Sequence, residues 1–301
     1  MSSPKRHHFV PRAYLDGFKD PESEFLHLFS KRSGLWRRQK ADQVMVRNKY
    51  YCQDWAPDGV DQNILEKALG NVLEPRGLSA LKRLVKCPAE MEAEDTANIV
   101  AYLELQRIRV PRQADEAKRL AELAIETMTM NDPRGRRILQ THKVVMEDSF
   151  RIEFMRMMTG NIAPYLGRMV WEVVEAPEGS FFITSDSPVS FWNKDFVPPA
   201  EAGVALYGTI VFFPLDAKHL LIMSHPEYKR GEKTASERLP HDLEFKDGHI
   251  EIDIGRVLNR DAVANHCSVM YMLSQDLIAG CSKECIDAAV GEETVGHRPN
   301  S

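Results

Sequence analysis

Between residues 60 and 167 the apolar side chains recur at helical spacing, and beyond residue 168 they collect in short runs of strand-forming residues. This change of period constrains the fold most, because consecutive helices followed by clustered strands predict an α+β chain and not an alternating α/β one. Ile64, Leu65, Ala68, Leu69, Val72 and Leu73 form an apolar stripe, which Pro75 and Gly77 are expected to end or kink before Leu78, Leu81, Leu84 and Val85 resume it. Residues 92–110 predict a helix stopped by Pro111; helices over 112–130 and 136–158 follow, split by the turn signal at 131–135, with a short piece near 162–166. Residues 169–174 and 181–184 predict a hairpin about Pro177-Glu178-Gly179. Residues 209–213, 219–223 and 269–273 predict strands, and 255–266 a helix.

Ahead of the helices, Pro11 suits a first helical turn, so residues 12–18 predict a short helix with Tyr14, Leu15 and Phe18 on one side. Residues 25–29 and 35–38 predict a β-hairpin on which Phe25, His27 and Phe29 share a face. The expected organisation is a single α+β domain over residues 1–290, followed by a flexible tail at 291–301. In that domain a helical part (60–167) adjoins a strand-rich part (168–275), mostly antiparallel sheet, packed with residues 5–50.

With 43% hydrophobic and 28% charged residues the chain is not generally disordered. No run approaches the ~20 apolar residues of a membrane helix, and the first residues lack the apolar stretch of a secretory signal. Five scattered cysteines, an odd number, predict free thiols and a cytoplasmic location. The net charge of −5 conceals an asymmetry: residues 1–50 hold eleven Lys and Arg against five Asp and Glu, interleaved with aromatics such as Phe9, Tyr14 and Trp36. Cations beside flat rings suit a phosphate backbone and its bases, so nucleic acid is the expected partner of this region; a merely solvated basic face is the plainer alternative.

Several polar residues stand out. His7 and His8 point to opposite sides of an extended segment, so one can act as general base or metal ligand while the other packs. Asp186, at the end of the apolar run 181–183, is placed to bind a metal or hold a histidine, or simply to close a turn before Pro188. Tyr102, Gln106, Arg109 and Gln113 follow helical spacing, a stripe that can grip phosphate or face solvent. Glu74 is a lone acid in an apolar stretch, and Arg12 adds a cation beside the histidines. Cys281 and Cys285, with His266 and Cys267 upstream, have loose zinc spacing. There is no phosphate-binding glycine loop, no G-x-S-x-G elbow and no H-E-x-x-H helix.

The opening His7-His8-x-Val10-Pro11 resembles the start of some ββα-metal nucleases, although the nearby further ligands, His27 and Asn48, are poorly spaced for that site. A wider resemblance covers residues 5–275. His7, His8, Val10, Pro11, Tyr14, Leu15 and Phe18 match an HHxVPxxYLxxF motif; Gln106, Arg109 and Pro111 match Q-x-x-R-x-P; and residues 182–189 match FITSDNPV with Ser187 for Asn. Pro214-Leu215 and Asn259 continue the pattern, and His266-Cys267-Ser268 departs from it. On these motifs the chain resembles the bacterial family known as domain of unknown function 4238. The resemblance implies that His7, His8, Glu74, Gln106, Arg109 and Asp186 belong to one pattern, and residues drawn from separate elements suggest one pocket.

The expected function is metal-assisted phosphodiester cleavage of nucleic acid. His7 or His8 acts as base or ligand, Asp186 with His8 or Glu74 holds a divalent Mg, Mn or Zn ion, and Arg109, Gln106 and Arg12 grip the substrate. A non-catalytic binding module with a structural His–Asp–Arg network is one rival, and an enzyme acting on a small anionic substrate is another.

Overall fold

The computed structural model describes residues 6–53, 56–225, 250 and 252–291, so the expected tail lies outside it beyond Gly291. The chain opens with β1 (Arg6–His8), α1 (Arg12–Leu15) continued by a tight turn to Phe18, the hairpin of β2 (Phe25–Ser30) and β3 (Trp36–Lys40), and β4 (Val46–Asn48), which pairs antiparallel with β1. Gly34 supplies the positive φ (66°) of the hairpin loop.

The helical part follows. α2 (Ile64–Ala68) runs through a π-turn (Leu69–Leu73) into α3 (Glu74–Lys86). Pro75 has no N–H to donate, and the widened turn carries the helix across its first positions without a break. α4 (Ala93–Ile108) is closed in front by reciprocal bonds between Glu92 and Asp95 and ends where Pro111 forces Val110 into extended backbone. α5 (Pro111–Met130), α6 (Pro133–Leu139), α7 (Phe150–Met158) and α8 (Ala163–Leu166) complete it. The single helix expected over 136–158 is divided, because Glu122 of α5 accepts the Met146 N–H at 2.8 Å and draws the intervening chain against α5.

Two larger sheets follow. β5 (Val170–Glu175), β7 (Ser190–Trp192), β8 (Ile210–Pro214), β9 (His219–Ser224) and β10 (Ile252–Val257) form one in the order β10-β5-β9-β8-β7, antiparallel except for β10 on β5. β6 (Thr184–Ser185) and β11 (Leu277–Gly280) join the N-terminal hairpin in the other, ordered β3-β2-β11-β6. The expected hairpin across 177–179 is therefore absent: Phe182 donates its N–H to Ala217, and the chain crosses to the second sheet. Residues 255–266 and 269–273 also depart from expectation. Gly255, at φ 88°, sits at a register shift inside β10, Asn259 then caps α9 (Arg260–Leu273), and α10 (Lys283–Val290) follows β11. The strand-like run 269–273 is the end of α9, because Val263, Cys267 and Met270 bury one helical face.

The main hydrophobic core joins Val10, Leu15 and Phe18 to Ile99 and Leu103 of α4 and to Trp171 and Phe213 of the first sheet. Tyr14 ties the motif segments together: its hydroxyl donates to Pro214 O (2.8 Å) and shares a hydrogen bond with Thr184 Oγ1 (2.9 Å). Among the described residues no helix is long and apolar enough to cross a membrane.

Candidate functional site

α4 ends in a turn that brings Gln106 and Arg109 inward, both essentially without solvent exposure. A buried guanidinium needs a counter-charge and hydrogen-bond acceptors. Glu74, at the start of α3, supplies the charge, accepting from Arg109 Nη1 at 2.7 Å. Gln106 Oε1 accepts from Nε (3.1 Å) and Nη2 (2.7 Å), while Gln106 Nε2 donates to the Phe9 carbonyl at 3.0 Å. The backbone just after the histidines is thereby pinned to Arg109 through one amide side chain.

The two histidines have different fates, as alternation along β1 requires. His7 is buried, its Nδ1 accepts the Tyr51 N–H at 2.9 Å, and its ring stacks on Tyr51. It holds the strand in place. His8 is half-buried on the other face; its ring donates to the Ala41 carbonyl, while Nε2 is buried with no partner. The Ala41 bond must therefore come from Nδ1, which leaves the Nε2 lone pair free in the neutral ring. Burial lowers the His8 pKa below 6.5, with Arg6 and Arg109 adding to the shift and Glu74 opposing it.

Two phenols complete the surroundings of Arg109. The hydroxyls of Tyr51 and Tyr102 are buried without partners, and burial raises both pKa values, so both stay protonated. Glu66 on α2, half-buried, is within electrostatic reach of Glu74 and Arg109; burial and Glu74 raise its carboxyl to about 7. The π-turn lies between the two acids. Its i→i+5 bonding turns the chain less per residue than an α-helix, which brings positions 66 and 74 nearer to one face. Three unpartnered buried polar atoms (His8 Nε2, Tyr51 Oη and Tyr102 Oη) lie around one guanidinium, with the half-buried Glu66 and Glu74 beside it.

Asp186 is not part of it. Its carboxylate accepts the main-chain N–H groups of Gln275, Asp276 and Leu277 at 2.8–2.9 Å, locking β6 against the start of β11. Ser185, not Asp186, closes the local turn by accepting the Ser187 N–H. No hydrogen bond or ion pair among the described residues joins Asp186 to His8, Glu74 or Arg109, so the expected Asp186–His8 metal pair is not assembled. Among the described residues no three His, Cys, Asp or Glu side chains gather as metal ligands. The donor set does not fit a divalent ion, and the loose cysteine group makes no such set either. Cys267 and Cys285 instead donate to the Phe181 and Ser282 carbonyls. Arg12 is exposed on α1, away from these bonds.

Asp186 lines a different feature, a groove of about 470 Å³ between the N-terminal ribbon and the second sheet. Arg6, Arg32, Arg37 and Arg47 open onto it, all exposed and none ion-paired among the described residues. Phe9, whose carbonyl anchors Gln106, also lines the groove, so β1 and Phe9 separate it from the Arg109 cluster. Sequence reasoning did not single out Glu66 or Tyr51. The one signal for Glu66 was a carboxylate set within the apolar stripe 64–69, and nothing local marked Tyr51.

No curated protein and no solved structure matches the chain. The family model described as protein of unknown function (DUF4238) matches residues 6–278, and the chain belongs to that family.

Proposed function

We propose that this chain holds nucleic acid by its sugar–phosphate backbone in the arginine groove and cleaves phosphodiester bonds at the cluster around Arg109. The observation that carries the reading is the adjacency of the two features across β1. Guanidinium groups with no ion pair among the described residues line one side, and a buried cation surrounded by unpartnered polar atoms lies on the other. Unpaired arginines attract and orient phosphates. A buried guanidinium fixed by Glu74 and Gln106 is preorganised to stabilise developing negative charge. The His8 Nε2 lone pair is the base, and no step here passes through a metal. A cytoplasmic location fits such a substrate and the free cysteines.

Gln106 also favours a second reading, a non-catalytic module. Its bond to Phe9 O and the His7–Tyr51 bond order the N-terminal segment whether or not chemistry follows.

The test incubates the full chain with labelled RNA and DNA, beside His8→Ala and the double variant Arg37→Glu/Arg47→Glu. Cleavage should fall by roughly 10²–10⁴-fold in the histidine variant with binding retained. The groove variant should lose binding. Binding without cleavage of either polymer supports the module instead, and no binding at all overturns both readings.

A further inference from the structure

The cluster holds a base, a protonated acid and a fixed cation, a set suited to a phosphodiester that carries its own nucleophile. We propose that the substrate is RNA, cut through the ribose 2′-hydroxyl, with His8 as base, Glu66 as acid and Arg109 as the anchor of phosphate charge. This rests on the nucleic-acid reading above and names its substrate and its second catalytic group.

The first support is the tautomer. The Ala41 carbonyl fixes the proton of His8 on Nδ1, so Nε2 presents a lone pair, buried and otherwise unused. The second is the different placement of the two carboxyls. Glu74 pairs with Arg109 at 2.7 Å, while burial and the nearby Glu74 raise the Glu66 carboxyl to about 7. One carboxyl is thus the charge partner of Arg109, and the other is suited to donate a proton. The third is the donor set around the anion. Tyr51 and Tyr102 offer hydroxyl protons, and Arg109 keeps two N–H groups beyond those bonded to Glu74 and Gln106. The π-turn that brings the acids together is a helix irregularity of the kind found at functional sites.

The step balances without any co-reactant. His8 Nε2 takes the proton of the 2′-hydroxyl, and the 2′-oxygen bonds to phosphorus. The bond from phosphorus to the 5′-oxygen breaks, and that oxygen takes the proton of Glu66. A 2′,3′-cyclic phosphate and a 5′-hydroxyl result, and proton exchange with water restores both side chains. The neighbouring hydroxyl supplies the nucleophile at high effective concentration, so no water has to be activated. The same hydroxyl is what distinguishes RNA from DNA.

The experiment uses the full chain in excess EDTA and a DNA oligonucleotide carrying one ribonucleotide. Companion strands carry deoxyribose or 2′-O-methylribose at that position. Binding is followed by fluorescence anisotropy and products by mass spectrometry. The expected result is a single cut 3′ of the ribonucleotide, leaving a 2′,3′-cyclic phosphate, with both companions bound and uncut. Glu66→Gln should cut roughly 10²–10⁴-fold more slowly at unchanged affinity. Cutting of the companions, or binding of all three strands without a cut, overturns the 2′-hydroxyl mechanism and leaves the groove standing. Failure to bind any strand overturns the groove reading and this inference with it. The substrate comparison uses only the unaltered protein, so it does not depend on the folding of a variant.

Discussion

Arg109 carries five N–H donors, three of them bonded to Glu74 and Gln106, inside a shell where the Tyr51 and Tyr102 hydroxyls have no partners. Buried polar atoms are nearly always satisfied, so unused capacity concentrated around one charge marks a place for a substrate or ordered water. The residue-scale prediction concerns pH. His8 must be neutral to act as base, and burial lowers its pKa below 6.5, so the rate rises with pH on the acidic side. Glu66 must be protonated to act as acid, and its pKa is raised to about 7, so the rate falls as pH increases through neutrality. The kcat/KM profile should be bell-shaped with its maximum on the acidic side of pH 7, and the alkaline limb should disappear in Glu66→Gln. A profile that rises steadily past pH 8 would remove Glu66 from the acid role. The sequence marked His8, Glu74, Gln106 and Arg109 because they sit in motifs. Glu66 was hidden because its raised carboxyl comes from burial in the fold and from Glu74 on the next helix, which no local pattern records.

The α3–α4 contact sets how close Tyr102 stands to Arg109. Gly77 makes that contact possible: a Cβ there would lie 2.5 Å from Tyr102 Cβ and equally close to its ring. Gly77→Ala gains helix propensity of ~1 kcal/mol, yet overpacking of this kind costs typically ~1–3 kcal/mol. We expect a net loss of stability, read as a lower urea midpoint with unchanged slope, and slower cleavage as Tyr102 moves. An unchanged or higher midpoint would show that the helices separate freely. At this scale α4 and α5 were legible, since helical periodicity and Pro111 agree. Strand β6 was not, because two residues, Thr184 and Ser185, pair with a strand more than ninety positions away. The end of β10, residues 255–257, read as the start of a helix because Gly255-Arg256-Val257 carries no strand-like run of its own. The π-turn at 69–73 follows from the packing of both flanking helices, and no residue in it announces a wider turn.

Across the whole molecule the site draws on residues from β1, the segment after β4, α2, α3 and α4, and the six motif positions divide. His8, Glu74, Gln106 and Arg109 converge, His7 supports the strand beside them, and Asp186 locks the second sheet behind the groove. Grouping around Arg109 was thus legible for four of the six, while Asp186 could be placed only once β6 and β11 were paired. The charge asymmetry of the first fifty residues resolves in the same way. Lys19 and Arg38 are ion-paired with acids of their own segment, whereas Arg6, Arg32, Arg37 and Arg47 line the groove with no ion pair among the described residues. Four such cations predict a specific salt dependence. Each phosphate contact to a single strand contributes a slope of ~0.7 in log affinity against log salt, giving about −2.8 for four and roughly 50-fold weaker binding between about 50 and about 200 mM salt. Replacing Arg32 and Arg37 by alanine should halve that slope and weaken all sequences alike, because backbone contacts carry no base information. An unchanged slope in the double variant would place the nucleic acid elsewhere on the molecule, even if binding itself were retained.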